Sequence, residues 1–169
     1  LRRFKRDMQI RREIRVTGIV QGVGFRPYVF RLATERDLTG SISNTPAGVT
    51  IEIQGPVELV EDFTSQLPIK APPLARIMGL VILELPCNGD EEFQIVSSDT
   101  GEAVRALISP DVAICDECLR ELFDPVCRRY LYPFINCTNC GPRFTIVRDI
   151  PYDRPRTSMA VFPMCEECR

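Results

Sequence analysis

Histidine is absent from the 169-residue sequence, which excludes imidazole catalysis and requires any zinc site to be built from thiolates. Tryptophan is absent as well. No apolar run approaches the length of a membrane span, and no signal peptide with an apolar middle is visible, so no membrane association is expected. Net charge is only −2, which gives no global pull toward nucleic acid or anionic lipid. A hydrophobic content of 44% with 26% charged residues is that of a soluble globular protein. The length suits one ordinary domain plus a smaller module.

Basic residues gather at the start: Arg2, Arg3, Lys5, Arg6, Arg11, Arg12 and Arg15 face only Asp7 and Glu13. This stretch reads as a solvated lead-in to a first strand rather than a nucleic-acid arm. Leu1 is not an initiator, and Met8 offers a start that would leave residues 1–7 without function.

The stretch Ile19-Val20-Gln21-Gly22-Val23-Gly24-Phe25-Arg26-Pro27 organises the first part of the chain. Ile14, Val16, Ile19 and Val20 feed it as a strand. Phe25, Tyr28, Val29, Leu32 and Ala33 leave it at helical spacing, which predicts a helix over 26–36. Pro27 suits a first helical turn, where its missing N–H has no partner to lose. Gly22 and Gly24 allow a tight turn that gathers N–H groups at a helix start, and Arg26 adds a permanently charged planar fork. A dinucleotide fingerprint would need glycine at Pro27, and a Walker A loop would need Gly-Lys-Ser/Thr. Neither is present. The stretch therefore reads as a phosphate-binding loop made by Gln21, Gly22, Val23, Gly24, Phe25 and Arg26.

Further along, strands are predicted near 41–45, over 49–53 and over 77–85, with a short one at 93–96. Pro56 opens a second helix whose apolar face carries Val57, Val60, Phe63 and Leu67. Pro68, Pro72 and Pro73 stiffen the connection that follows. The order β-α-β-β-α-β predicts an α+β, ferredoxin-like arrangement, an antiparallel sheet with two helices on one face. Ser97 to Glu102 is polar linker material, and clustered cysteines follow. The expected organisation is a domain over residues 10–98, a linker over 99–109 and a small zinc-stapled cysteine-rich module over 110–169.

Six of the eight cysteines form three Cys-x-x-Cys pairs: Cys115/Cys118, Cys137/Cys140 and Cys165/Cys168. In the absence of a secretion signal this favours metal binding in a reducing cytoplasm, with disulfides as the alternative. The first two pairs can close one tetrahedral site, yet either can also combine with Cys165/Cys168. Spacing leaves that open. Cys87 and Cys127 lack a nearby partner in the sequence and read as ordinary residues. Arg128, Arg129 and Tyr130 are too few for a nucleic-acid platform.

Val16, Gly18, Val20, Gln21, Gly22, Val23, Gly24, Phe25 and Arg26 together resemble the acylphosphatase signature. Gly40, Ile42, Asn44 and Gly48 match that family's Gly-x-Val-x-Asn-x-x-x-Gly segment, with Ile42 replacing valine and Ala47 standing where many members carry aspartate. The resemblance implies the acylphosphatase fold, with Arg26 holding the phosphoryl group and Asn44 orienting the attacking water, and no metal at the phosphate site. The tandem with the cysteine pairs, and the strings Tyr132-Pro133-Phe134-Ile135-Asn136-Cys137 and Pro151-Tyr152-Asp153-Arg154-Pro155, resemble the N-terminal part of the HypF family. These are carbamoyltransferases of nickel–iron hydrogenase maturation.

That second resemblance implies hydrolysis of carbamoyl phosphate to carbamate and phosphate here. Structural zinc is implied in the cysteine module. ATP enters only in the full-length protein, through a YrdC-like and a further C-terminal domain that lie outside these residues. The acceptor is the cysteine of a maturation partner protein, and the carbamoyl group becomes a cyanide ligand of the hydrogenase iron. A general acylphosphatase, or a zinc-dependent module binding protein or nucleic acid, is the alternative.

Overall fold

The computed structural model describes residues 8–97, 107, 110–137, 139–141, 144–164 and 166. Five strands form, with apolar residues alternating clearly along β3: β1 (Gln9–Ile19), β2 (Thr39–Thr45), β3 (Gly48–Pro56), β4 (Arg76–Leu85) and β5 (Phe93–Ile95). Two helices, α1 (Phe25–Thr34) and α2 (Val57–Ile69), fall between them as expected. The second runs through Pro68 near its end. A missing N–H close to a helix terminus forfeits one ladder bond without breaking the turns before it.

The sheet order is β4-β1-β3-β2-β5. Its first four strands are the antiparallel ferredoxin-like arrangement, and the short β5 adds a parallel strand against β2. Register aligns a row of isoleucines across it: Ile82 faces Ile14, which faces Ile51, which faces Ile42, which faces Ile95. The three central members are fully buried, whereas Ile82 and Ile95 on the outer strands are exposed. Val29, Leu32, Val60, Phe63 and Leu67 from the helices close over this face and form one core with it.

The described part of the basic lead-in is absorbed by the sheet. Arg11 pairs with Glu52 and lies near Asp90, and Arg15 pairs with Glu13. After β5 the described residues form little regular structure. One helix, α3 (Asp116–Phe123), and short 3-10 turns at Phe144–Ile146, Arg154–Arg156 and Ser158–Val161 carry it. The expected linker falls almost entirely outside the described residues. Among the described residues no helix is long and apolar enough to cross a membrane.

Candidate phosphate site and thiol cluster

Strand directions bring the two candidate catalytic residues together. β1 and β2 are each antiparallel to β3, so their C-terminal ends lie at the same end of the sheet. The loop leaves β1 there, and Asn44 is the second-last residue of β2. Asn44 also shares a row with Val49 and Val16 on the helix-covered face, which buries it to 1% exposure.

Between β1 and α1 the backbone turns through positive φ at Gly22 (70°) and Gly24 (76°), a region costly for residues with a Cβ. Gly24 caps α1 and, having no side chain, offers the helix's first N–H groups no side-chain cap of its own. Backbone N–H groups at a helix start and the positive end of the helix dipole are features suited to an anion. Val23 and Phe25 put their side chains in the core, leaving only their backbone to face a ligand.

The side chain of Gln21 is committed elsewhere. Its Nε2 donates to Thr45 O (2.7 Å) and Gly48 O (2.6 Å), clipping the loop to the β2–β3 turn. Its Oε1 accepts from Tyr152 N–H at 2.9 Å. Arg26 donates through Nη2 to Asp153 Oδ1 at 2.7 Å and, at a longer 3.4 Å, to Tyr152 O. Asn44 Nδ2 donates to that same carbonyl at 3.3 Å. Asn44 Oδ1 is buried and has no hydrogen-bond partner among the described residues. Leaving such an acceptor unpaired costs roughly 1–3 kcal/mol, a penalty that functional sites retain. An O–H donor placed there would remove it.

Tyr152 and Asp153 were not among the residues singled out for this site by sequence reasoning. They lie more than a hundred positions beyond the loop, and only the resemblance of the string Pro151–Pro155 to the HypF family draws attention to the region.

The second cluster is made of sulfur. Sγ atoms of Cys115, Cys118, Cys137 and Cys140 all lie within 4.8 Å of one another. The contacts are 3.5 Å for Cys115–Cys137, 3.9 Å for Cys118–Cys140 and 3.9 Å for Cys137–Cys140. Disulfide sulfurs sit about 2.05 Å apart. Four thiolates around a tetrahedral zinc, each at about 2.3 Å, sit roughly 3.8 Å apart. The cluster has the dimensions of a zinc site. Burial pushes the Cys118 thiol up. Cys140 is also raised by burial, but the backbone N–H of Cys137, 3.3 Å from its sulfur, and further donors pull it down to about 6. Asp116 and Glu117 open α3 directly after Cys115, where acidic residues complement the helix dipole. Cys165 and Cys168 lie outside the described residues.

The family called Acylphosphatase matches residues 12–95, and the HypF finger family matches residues 114–147. The carbamoyltransferase HypF2 of Cupriavidus necator is 48% identical over 166 residues, covering 97% of this chain and 21% of its relative. An acylphosphatase of Caldivirga maquilingensis is 40% identical over 98 residues, which span 57% of this chain and 94% of that protein. A crystal structure of full-length HypF in a phosphate- and nucleotide-bound form superposes with a TM-score of 0.88 at 48% identity, over 95% of this chain and 21% of that one. The chain thus spans about a fifth of the length of its HypF relatives.

Proposed function

This chain belongs to the HypF family, whose acylphosphatase domain and finger it carries, and on that premise we propose that it hydrolyses carbamoyl phosphate to carbamate and phosphate. The observation that carries the reading is the meeting of Arg26 and Asn44 at the mouth of the glycine loop, both reaching one carbonyl oxygen. Backbone N–H groups of residues 22–26 and the Arg26 guanidinium bind the phosphoryl oxygens and offset the charge that builds on them. Asn44 Oδ1 accepts a hydrogen from water and presents its lone pair to phosphorus. The new P–O bond forms from that water as the bond to the carbamoyl oxygen breaks. Carbamate leaves with the electron pair, one water proton stays on phosphate and the other passes to solvent. An acyl phosphate is a mixed anhydride with a good leaving group, so positioning and electrostatics do most of the work.

On this reading residues 10–98 form the hydrolase and 99–109 the linker. Cys115, Cys118, Cys137 and Cys140 hold a structural zinc that staples the module, in a reducing cytoplasm. Cys165 and Cys168 are candidate zinc ligands on the same reading. In the full-length protein, carbamate passes to ATP-dependent activation and then to the cysteine of a maturation partner, on the way to the cyanide ligand of the hydrogenase iron.

The test is phosphate release from carbamoyl and acetyl phosphate by the wild type, Arg26→Ala and Asn44→Ala. Each substitution is expected to reduce turnover by about a hundredfold or more. Preference for carbamoyl phosphate supports the maturation role, whereas equal use of both points to a general acylphosphatase. Release that persists in both variants would sink the assignment.

A further inference from the structure

Gln21, Arg26 and Asn44 have one thing in common: each bonds to the two-residue segment Tyr152–Asp153 of the cysteine-rich module. We propose that this segment completes the phosphate site, with Asp153 and the Tyr152 backbone as positioning residues for Arg26 and Asn44. The proposal rests on the hydrolase reading above and adds to it a second source of the site.

A long arginine side chain on the first turn of a helix samples many rotamers, and a displaced guanidinium loses its grip on phosphate. Asp153 removes that freedom. Its carboxylate holds the 2.7 Å ion pair with Nη2, and both side chains are about three-quarters buried. Tyr152 O takes a longer bond from the same nitrogen. The contacts to Asp153 and Tyr152 are made through Nη2, and a guanidinium carries further N–H donors in its planar fork that can take a phosphoryl group.

Tyr152 has a different effect on Asn44. A carbonyl only accepts, so the NH2 end of the carboxamide must face Tyr152 O. The oxygen end is thereby turned away, and it is this buried Oδ1 that lacks a partner among the described residues. An amide with the opposite orientation would present N–H groups to the water and hold it with its lone pair misdirected. The Tyr152 N–H, bonded to Gln21 Oε1, ties the same peptide to the loop and to the β2–β3 turn. Gly141, directly after Cys140, comes close enough to the loop that a Cβ there would lie 2.9 Å from Leu74 Cδ1 and 3.7 Å from Gly22 O. The thiol cluster and the phosphate loop are packed together on this side.

The experiment compares the wild-type chain with Asp153→Ala, Asp153→Asn and Arg26→Ala, and with Arg26→Ala combined with Asp153→Ala. Two quantities are read: steady-state hydrolysis of carbamoyl phosphate, and the Arg26 Nε–H resonance in nitrogen-15-labelled protein. Asp153→Ala is expected to lower kcat about tenfold with KM within about threefold, because a misplaced group costs turnover more than binding. Asp153→Asn, which keeps an acceptor oxygen, should recover most of the loss. In the Arg26→Ala background the Asp153 substitution should add almost nothing, since groups acting through one another are not additive. The Arg26 Nε–H signal should be sharp in wild type and Asp153→Asn, and broadened away in Asp153→Ala.

An unchanged kcat in Asp153→Ala would overturn the proposal. A raised kcat would too, by showing that Asp153 competes with substrate for Arg26. A wild type that hydrolyses no acyl phosphate would defeat the hydrolase reading instead. In that case the resonance alone decides, and a signal insensitive to Asp153 removes the positioning role.

Discussion

The two halves of this chain solve the problem of holding a site in opposite ways. Before residue 98 a sheet and two helices bury Phe25, Phe63, Ile14, Ile42, Ile51 and Leu67 almost completely. Beyond residue 110 the buried cluster among the described residues consists of Cys118, Ile135 and Cys140, while Phe123, Val126, Leu131 and Phe134 stay largely exposed. Apolar burial supplies about 1.5–3 kcal/mol per large side chain, enough to fold the first region and far too little for the second. There, four thiols at zinc-site distances take the place of a core. A region that cannot fold by burial depends on its ligand or on its neighbour, and this one has contacts suited to both.

Removing the metal should break the comparison most severely. Binding of structural zinc is worth on the order of 10–16 kcal/mol in small domains. Chelation, or Cys118→Ser, is expected to unfold the region beyond residue 110 while the sheet keeps its far-ultraviolet dichroism and cooperative melting. Hydrolysis should fall with it if Tyr152 and Asp153 are lost from the site. A single transition that takes both regions together would contradict this separation.

Phe63→Ala probes the other side. It empties a fully buried position between α2 and the sheet and should cost about 3–5 kcal/mol, read as a lower denaturant midpoint for the first region. Zinc stoichiometry per chain, measured before denaturation, should not change.

The smallest effect concerns Tyr28. Burial raises its phenol to about 12 against a modest lowering by Arg36, and its hydroxyl donates to the carbonyls of Gln66 and Leu67 at the end of α2. The folded chain holds this proton more tightly than the unfolded chain. The contribution is therefore complete below pH 10 and is lost as pH rises from there through about 12. Tyr28→Phe should flatten that alkaline decline, and an unchanged pH profile in the variant would refute the link.

Much of the first region was legible beforehand because its signals are local. Alternation along β1 and β3, helical spacing from Phe25 to Ala33 and proline beside α2 depend on residues a few positions apart. The glycine loop was legible for the same reason, since Gly22 and Gly24 turn the chain where they stand. β5 was expected as a short strand, but its parallel pairing with β2 was not, because three residues carry no information about their partner. Gln21 shows the limit within a motif. Its place in the loop was clear, whereas its role as a clip between the β2–β3 turn and Tyr152 depends on residues 24 to 131 positions away.

The sequence by itself determined the order of elements, the position of Arg26 at a helix start, the lack of any imidazole among these residues and the Cys-x-x-Cys pairs available to a zinc ion. Each follows from residue type and short-range spacing. Only the tertiary structure decided that Cys115 and Cys118 meet Cys137 and Cys140, and that Tyr152 and Asp153 close on Arg26 and Asn44. Spacing limits what two segments can reach, but the choice among reachable partners is made by the packing of the whole chain.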